Sequence, residues 1–247
     1  MKKILISVLV VVALAVLGFV VWASWTSPIL PSAVAALQSG NGVEVVSVTS
    51  GDWLIFQPTR KDYDTALIFY PGGQVDPQAY APYAHDVASQ GFLVVIPRMP
   101  LNLAVFDVNA ADSIRKEFPQ IQHWAIGGHS LGGVMATSYA VSHADQIEGL
   151  VLLASYPASS DSLVHSTLRV VSIYATNDGL STGQKIDASR ALLPKDTQFV
   201  AIEGGNHAQF GDYGVQQGDG QATISREEQQ RQTIIATVKL LRNLSGE

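Results

Sequence analysis

From Val43 onward the chain alternates between two kinds of segment. Short, almost wholly apolar runs rich in β-branched residues appear at VEVVSV (43–48), WLIFQ (53–57), ALIFY (66–70), FLVVI (92–96), WAIGG (124–128), GLVLLA (149–154), RVVSIYA (169–175) and TQFVAI (197–202). Such runs, bounded by Gly, Pro, Asn and Asp, predict eight strands. The first two are separated only by TSGD (49–52), a hairpin-length turn that makes them antiparallel. From the third onward most are separated by helix-length segments of mixed polarity: PQAYAPYAHDVASQ, NAADSIRKEF, LGGVMATSYAVSH and STGQKIDASRALL. Strands alternating with helices predict an α/β fold, an eight-stranded and mostly parallel sheet covered by helices on both faces, which accounts for strands with no polar side. A last helix starts at Ser225, where Ser225 and Glu228 have capping-box spacing and Ile234, Ile235, Val238 and Leu241 recur on one face.

The first residues follow a different pattern. After MKK comes ILISVLVVVALAVLGFVVWA, from Ile4 to Ala23, without a charge and with Ser7 as its one hydroxyl. At about 1.5 Å per residue this helix spans roughly 30 Å, the thickness of a bilayer's hydrocarbon core. Its length exceeds the apolar region of a signal peptide, roughly 7 to 15 residues, and favours an uncleaved anchor. Trp22 and Trp25 stand where an interfacial aromatic belt would lie. Lys2 and Lys3 stay cytoplasmic by the positive-inside rule, which puts the rest of the chain outside the cytoplasm. The alternative is a secreted protein, cleaved after Val21-Trp22-Ala23. The organisation expected is thus an anchor over residues 1–25, a Pro- and Gly-punctuated tether over 26–42 with one short helix from Pro31, and a single α/β domain over 43–247.

Composition narrows the chemistry. The net charge is -6, more acidic still once Lys2 and Lys3 are set aside, and no basic stripe interrupts it. Such a surface repels phosphate backbones, so a nucleic-acid partner is not expected. The absence of cysteine excludes disulfides, thiolate nucleophiles and Cys-ligated metal. Oligomeric state is not legible.

One stretch remains unexplained by folding alone: GGHSLGG, residues 127–133. No Gly-Lys-Ser/Thr follows, as a phosphate-binding loop would require, and the spacing is not that of a dinucleotide fingerprint. Gly128-His129-Ser130-Leu131-Gly132 is instead a G-x-S-x-G pattern directly after a strand and directly before a helix. In so tight a turn the serine takes a strained backbone conformation, and side chains at the glycine positions would collide with the neighbouring elements. Ser130 would then stand at the C-terminal edge of the sheet, beside the free N–H groups of a helix start.

A serine hydroxyl needs a base, and the base an orienting acid. With a nucleophile on such a turn the chain order is serine, acid, histidine. Asp178 follows the seventh strand in ATNDGL and His207 follows the eighth in EGGNHAQF, so both leave the sheet at the edge of Ser130. Of the other histidines, His85 and His143 fall in or at the end of helices, His123 precedes a strand, His129 sits in the turn and His165 in a short loop. The rival acids are Asp145, Asp161, Asp212 and Asp219. The oxyanion of an acyl-transfer intermediate needs two N–H groups. Leu131 supplies one, and YPGGQVD, after the third strand, supplies the other from Gly73, with Gln74 as the alternative. Neither a metal nor an organic cofactor is implied.

On these residues the chain resembles the α/β-hydrolases. IFYPGGQVDPQAYAP, PRMPLNLAVFD and EGGNHAQFGDYG resemble, more narrowly, a small prokaryotic branch, the α/β-hydrolase fold-5 group, whose members often carry an N-terminal anchor. The resemblance implies a serine hydrolase acting on a small-molecule ester or acyl substrate. An acyltransferase, amidase or thioesterase with the same triad is the alternative, and a non-catalytic binding module on the same fold a more distant one. Where many relatives insert a cap after the sixth strand, this chain has only SYPASSDSLVHSTL. The resemblance therefore implies a lidless groove, walled by Gln74, Val75, Met99, Leu101, Leu103, Tyr156 and Phe210.

Overall fold

The computed structural model describes residues 2–48 and 52–246. Eight strands form one sheet: β1 (Val43–Val48), β2 (Trp53–Pro58), β3 (Thr65–Tyr70), β4 (Leu93–Pro97), β5 (His123–His129), β6 (Gly149–Leu153), β7 (Arg169–Ala175) and β8 (Gln198–Ile202). Their order is β1-β2-β4-β3-β5-β6-β7-β8. β2 runs antiparallel to β1 and β4, and every other pairing is parallel. The first two strands are antiparallel as expected; Thr49, Ser50 and Gly51 of the expected turn lie outside the described residues.

Two apolar cores, one on each face, hold the sheet. Along β3, Leu67 and Phe69 enter a core that includes Tyr83 and Val87 of helix α3 (Ala81–Ser89) and Leu240 and Leu241 of helix α7 (Arg226–Ser245). Ala66, Ile68 and Tyr70 enter the other, with Ile114 of α4 (Ala110–Glu117) and Tyr139 of α5 (Leu131–Ser142). This alternation over two buried faces is why the strands carry no polar side. Helix α6 (Gly183–Ser189) sits between β7 and β8, and the segment from β6 to β7 is coil throughout.

Helix α7 begins as its cap predicts: Ser225 Oγ accepts from the N–H of Glu228 at 3.2 Å. The Glu228 carboxylate, however, is taken by Arg231 and Gln232. The buried face also differs from the apolar count, since Ile235 is exposed whereas Thr233 and Thr237 are buried. Each threonine satisfies its hydroxyl on the carbonyl four residues back, and Thr237 also meets the hydroxyl of Tyr83 at 3.0 Å. A threonine bonded in this way is buried as readily as an apolar residue.

At the other end, helix α1 (Lys2–Ser24) is long and apolar enough to cross a membrane, and its residues from Ile4 to Trp22 are exposed. The segment after it lies against the domain. Ile29 bridges Tyr213, the N–H of Leu30 donates to the Asp212 carbonyl at 2.9 Å, and Ala33 of the short helix α2 (Pro31–Ala36) is fully buried.

Candidate active site

The turn from β5 into α5 has room only for glycine at positions 128, 132 and 133. A Cβ at Gly128 would lie 2.5 Å from the carbonyl carbon of Gly132, one at Gly133 2.5 Å from Ser155 Oγ, and one at Gly132 would run into the carbonyl oxygens of Tyr70 and Pro71. With those side chains absent, β3, β5 and α5 close around Ser130, whose φ of 51° and ψ of -121° a non-glycine residue rarely adopts. Strain of this kind, on the order of 1–3 kcal/mol, persists only where the surroundings enforce it. Here the N–H of Ser130 donates to the Leu153 carbonyl at 3.0 Å, and the buried Ser155 hydroxyl donates to the Ser130 carbonyl at 2.7 Å. The Ser130 side chain makes no cap bond to its helix and is left half-buried at the sheet edge.

Asp178 follows β7 and His207 follows β8. The acid's Oδ1 accepts from the N–H groups of Leu180 and Ser181, both at 2.7 Å, which fixes the carboxylate plane. Its Oδ2 lies 2.8 Å from Nδ1 of His207, with both side chains sealed from solvent. A carboxylate only accepts, so the proton of a neutral His207 resides on Nδ1 and the lone pair on Nε2. Nε2 is buried and makes no hydrogen bond among the described residues. The structure therefore brings Asp178 and His207 together at the same edge as Ser130, and leaves a hydrogen bond from Ser130 Oγ to His207 unmade. Contacts of this type are often long without substrate and tighten when it binds.

Behind His207 lies a second imidazole. The His129 ring is 4.4 Å from that of His207 and wholly buried. Its Nδ1 is 2.8 Å from the Tyr80 hydroxyl, which also accepts from the N–H of Gly72 at 3.0 Å. Tyr80 either donates to a bare Nδ1 or accepts from Nδ1–H, according to the tautomer of His129. Burial, and then the nearby His207, hold the His129 pKa well below the usual histidine range, partly offset by the His207 backbone. Burial likewise pushes the Tyr80 hydroxyl up, so this pair stays neutral.

Of the two expected oxyanion donors, Leu131 opens α5 with its N–H unpaired among the described residues, as helix starts leave it. The N–H of Gly73 is also unpaired among the described residues, whereas that of Gln74 donates to the Asn102 carbonyl at 2.9 Å. Gly73 sits against Leu131, since a Cβ there would lie 3.2 Å from Leu131 Cδ2. Of the expected walls, Val75, Met99 and Phe210 are buried in the cores, and Gln74, Leu101, Leu103 and Tyr156 are half-buried. Among the described residues no group of His, Asp and Glu side chains is placed to hold a metal ion.

A rival acid has a different place. Asp219 Oδ1 accepts from the N–H groups of His207, Gly179 and Gly220, and Oδ2 from that of Ala208. Gln229 of α7 pairs with the backbone of Asn206 on both sides, accepting from its N–H at 3.0 Å and donating to its carbonyl at 2.7 Å. Arg226 donates to the carbonyls of Ala208 and Gly211.

A model of the alpha/beta hydrolase family matches residues 66–231, from β3 into α7. No curated protein matches the chain in sequence. Solved structures match in fold. Est1E from Butyrivibrio proteoclasticus superposes with a TM-score of 0.57 at 12% identity, over 81% of this chain and 98% of its own. A predicted CIB-like hydrolase from Thermoplasma acidophilum gives 0.58 at 16% identity, over 82% and 99%. A chain from work on LipS and LipT, two metagenome-derived lipolytic enzymes, gives 0.50 at 12% identity, over 59% and 86%.

Proposed function

The chain belongs to the alpha/beta hydrolase family, and from that premise we propose that it is a serine hydrolase of carboxylic esters, with Ser130 as nucleophile, His207 as base and Asp178 as orienting acid. The observation that carries this reading is the buried 2.8 Å contact between His207 Nδ1 and Asp178 Oδ2, which leaves the Nε2 lone pair at the edge where Ser130 stands. Ser130 Oγ attacks the ester carbonyl while Nε2 takes its proton, and the carbonyl oxygen, now negative, sits between the N–H groups of Leu131 and Gly73. The imidazolium, steadied by Asp178, returns the proton to the departing alcohol. Water then repeats the sequence on the acyl-serine and frees the acid.

Lipolytic and esterase-type neighbours support the ester class. For α1 the reading is an anchor in the membrane, with residues 43–247 as the catalytic domain on the extracytoplasmic side. Resistance to alkaline extraction, with the domain open to external protease, tests it.

Replacing Ser130 by alanine abolishes hydrolysis of p-nitrophenyl butyrate and labelling by a fluorophosphonate probe. Undiminished turnover in Ser130→Ala refutes the assignment.

A further inference from the structure

The last turn of α1 ends on the loops of the proposed site. Gln74 Nε2 donates to the Trp22 carbonyl at 2.7 Å, and Asn102 Nδ2 lies 3.5 Å from the Ala23 carbonyl and 3.4 Å from that of Ser24. All three carbonyls belong to the helix end, where intrahelical partners run out, and that of Trp22 also accepts from the N–H of Trp25 at 3.3 Å. Ala23 is fully buried, whereas the apolar residues N-terminal to it are exposed. Gln74 is the neighbour of Gly73, the second oxyanion donor, and its N–H ties the two loops through the Asn102 carbonyl. Backbone strain concentrates here as well, with positive φ at Gln74, Leu101 and Asn102.

An apolar surface continues from helix to rim. The Phe106 ring meets the Phe19 ring edge-on at 6.3 Å, and Val105 and Phe106 each remain 50% exposed. Phe19 lies three residues before Trp22, about 4.5 Å deeper along the helix axis at the ordinary helical rise. If Trp22 and Trp25 mark the membrane surface, Phe106 beside Phe19 sits on its hydrocarbon side, within the roughly 5–10 Å that interfacial elements enter. Asp107, exposed, bounds the patch.

We propose that the mouth of the site rests on the bilayer that holds α1, and that the ester it hydrolyses is an acyl amphiphile drawn from that leaflet. This rests on the serine-hydrolase reading. The leaflet delivers acyl chains along the Val105–Phe106 side, and the ester group of a lipid lies at the level of Trp22 and Trp25, where the loop carrying Gly73 meets the helix end.

The full chain, reconstituted in vesicles of phosphatidylcholine and phosphatidylglycerol, tests both halves. Because the sequence contains no cysteine, Phe106→Cys carries a single environment-sensitive fluorophore. Quenching by spin-labelled lipid is expected; emission as in water, unquenched, overturns the seating. For the substrate, methylumbelliferyl oleate dissolved in the bilayer is compared with soluble methylumbelliferyl acetate. Phe106→Asp lowers oleate turnover about tenfold and leaves acetate turnover unchanged. Acetate turnover with no fall for oleate overturns this inference alone, and loss of both esters in the wild-type protein overturns the hydrolase reading with it.

Discussion

Asp219 accepts a hydrogen bond from the backbone N–H of His207 at 3.1 Å, and the same carboxylate oxygen accepts at 3.3 Å from Gly179, the residue after Asp178. One side chain thus fastens the loop of Asp178 to the loop of His207. Its removal leaves several N–H groups without an acceptor, each worth about 1–3 kcal/mol if buried. Asp219→Ala is expected to lose about 2 kcal/mol of stability and to lower kcat about tenfold. Urea unfolding and steady-state kinetics check both. Unchanged kcat would show that Asp219 matters only to folding.

Asp178→Asn is expected to do more harm to catalysis. The two N–H groups of Leu180 and Ser181 keep an oxygen at the Oδ1 position, which turns the amide nitrogen toward His207. An amide N–H demands a lone pair on Nδ1, so the proton moves to Nε2 and the base is lost. The kcat should fall by roughly 10⁴-fold with KM little changed. Retention of most activity would dismiss Asp178 as the orienting acid.

Gly132→Ala probes the turn itself. Its methyl group would strike two backbone carbonyls, which cannot rotate aside as a side chain can. Overpacking of about 1–3 kcal/mol is expected, visible as a lower melting temperature together with loss of ester hydrolysis. Wild-type stability would show that β3 and α5 are not so closely apposed.

His129 makes stability depend on pH. Its folded pKa is depressed below the ordinary 6.5, so in mildly acid solution the unfolded chain binds a proton that the folded one refuses. The stability from a neutral, buried His129 is complete above about pH 6.5 and is lost as pH falls below it, with a limiting slope of about 1.4 kcal/mol per pH unit. Urea unfolding from neutral to mildly acid pH should show a shallower decline in His129→Asn. Equal slopes would exonerate this residue.

What could be read in advance follows the range of the forces involved. The strands were legible because burial on both faces imposes apolar runs, and Ser130, Asp178 and His207 because chain order and parallel strands place all three at one edge. The tie of Gly73 beside Leu131 follows from the same topology. The Tyr80–His129 pair was not legible, since its members lie 49 residues apart and tyrosine serves equally as plain core. Asp219 entered only as a rival acid, because its partners are backbone N–H groups that sequence does not distinguish. Val75, Met99 and Phe210 were expected on a wall, and their burial in the cores is what the apolar runs around them also predict, so sequence pattern does not separate the two roles. The docking of the α1 end on Gln74 and Asn102 joins side-chain amides to carbonyls, a pairing without periodic signature.

The grip of Gln229 on Asn206 has a consequence for the order of events during synthesis. A polypeptide is made from its N-terminus, so α1 and the Ser130 turn leave the ribosome long before residue 229 does. Until that glutamine arrives, the loop that presents the imidazole is held by Asp219 but lacks its tie to the closing helix. The setting of His207 is therefore complete only once the closing helix has been made and docked.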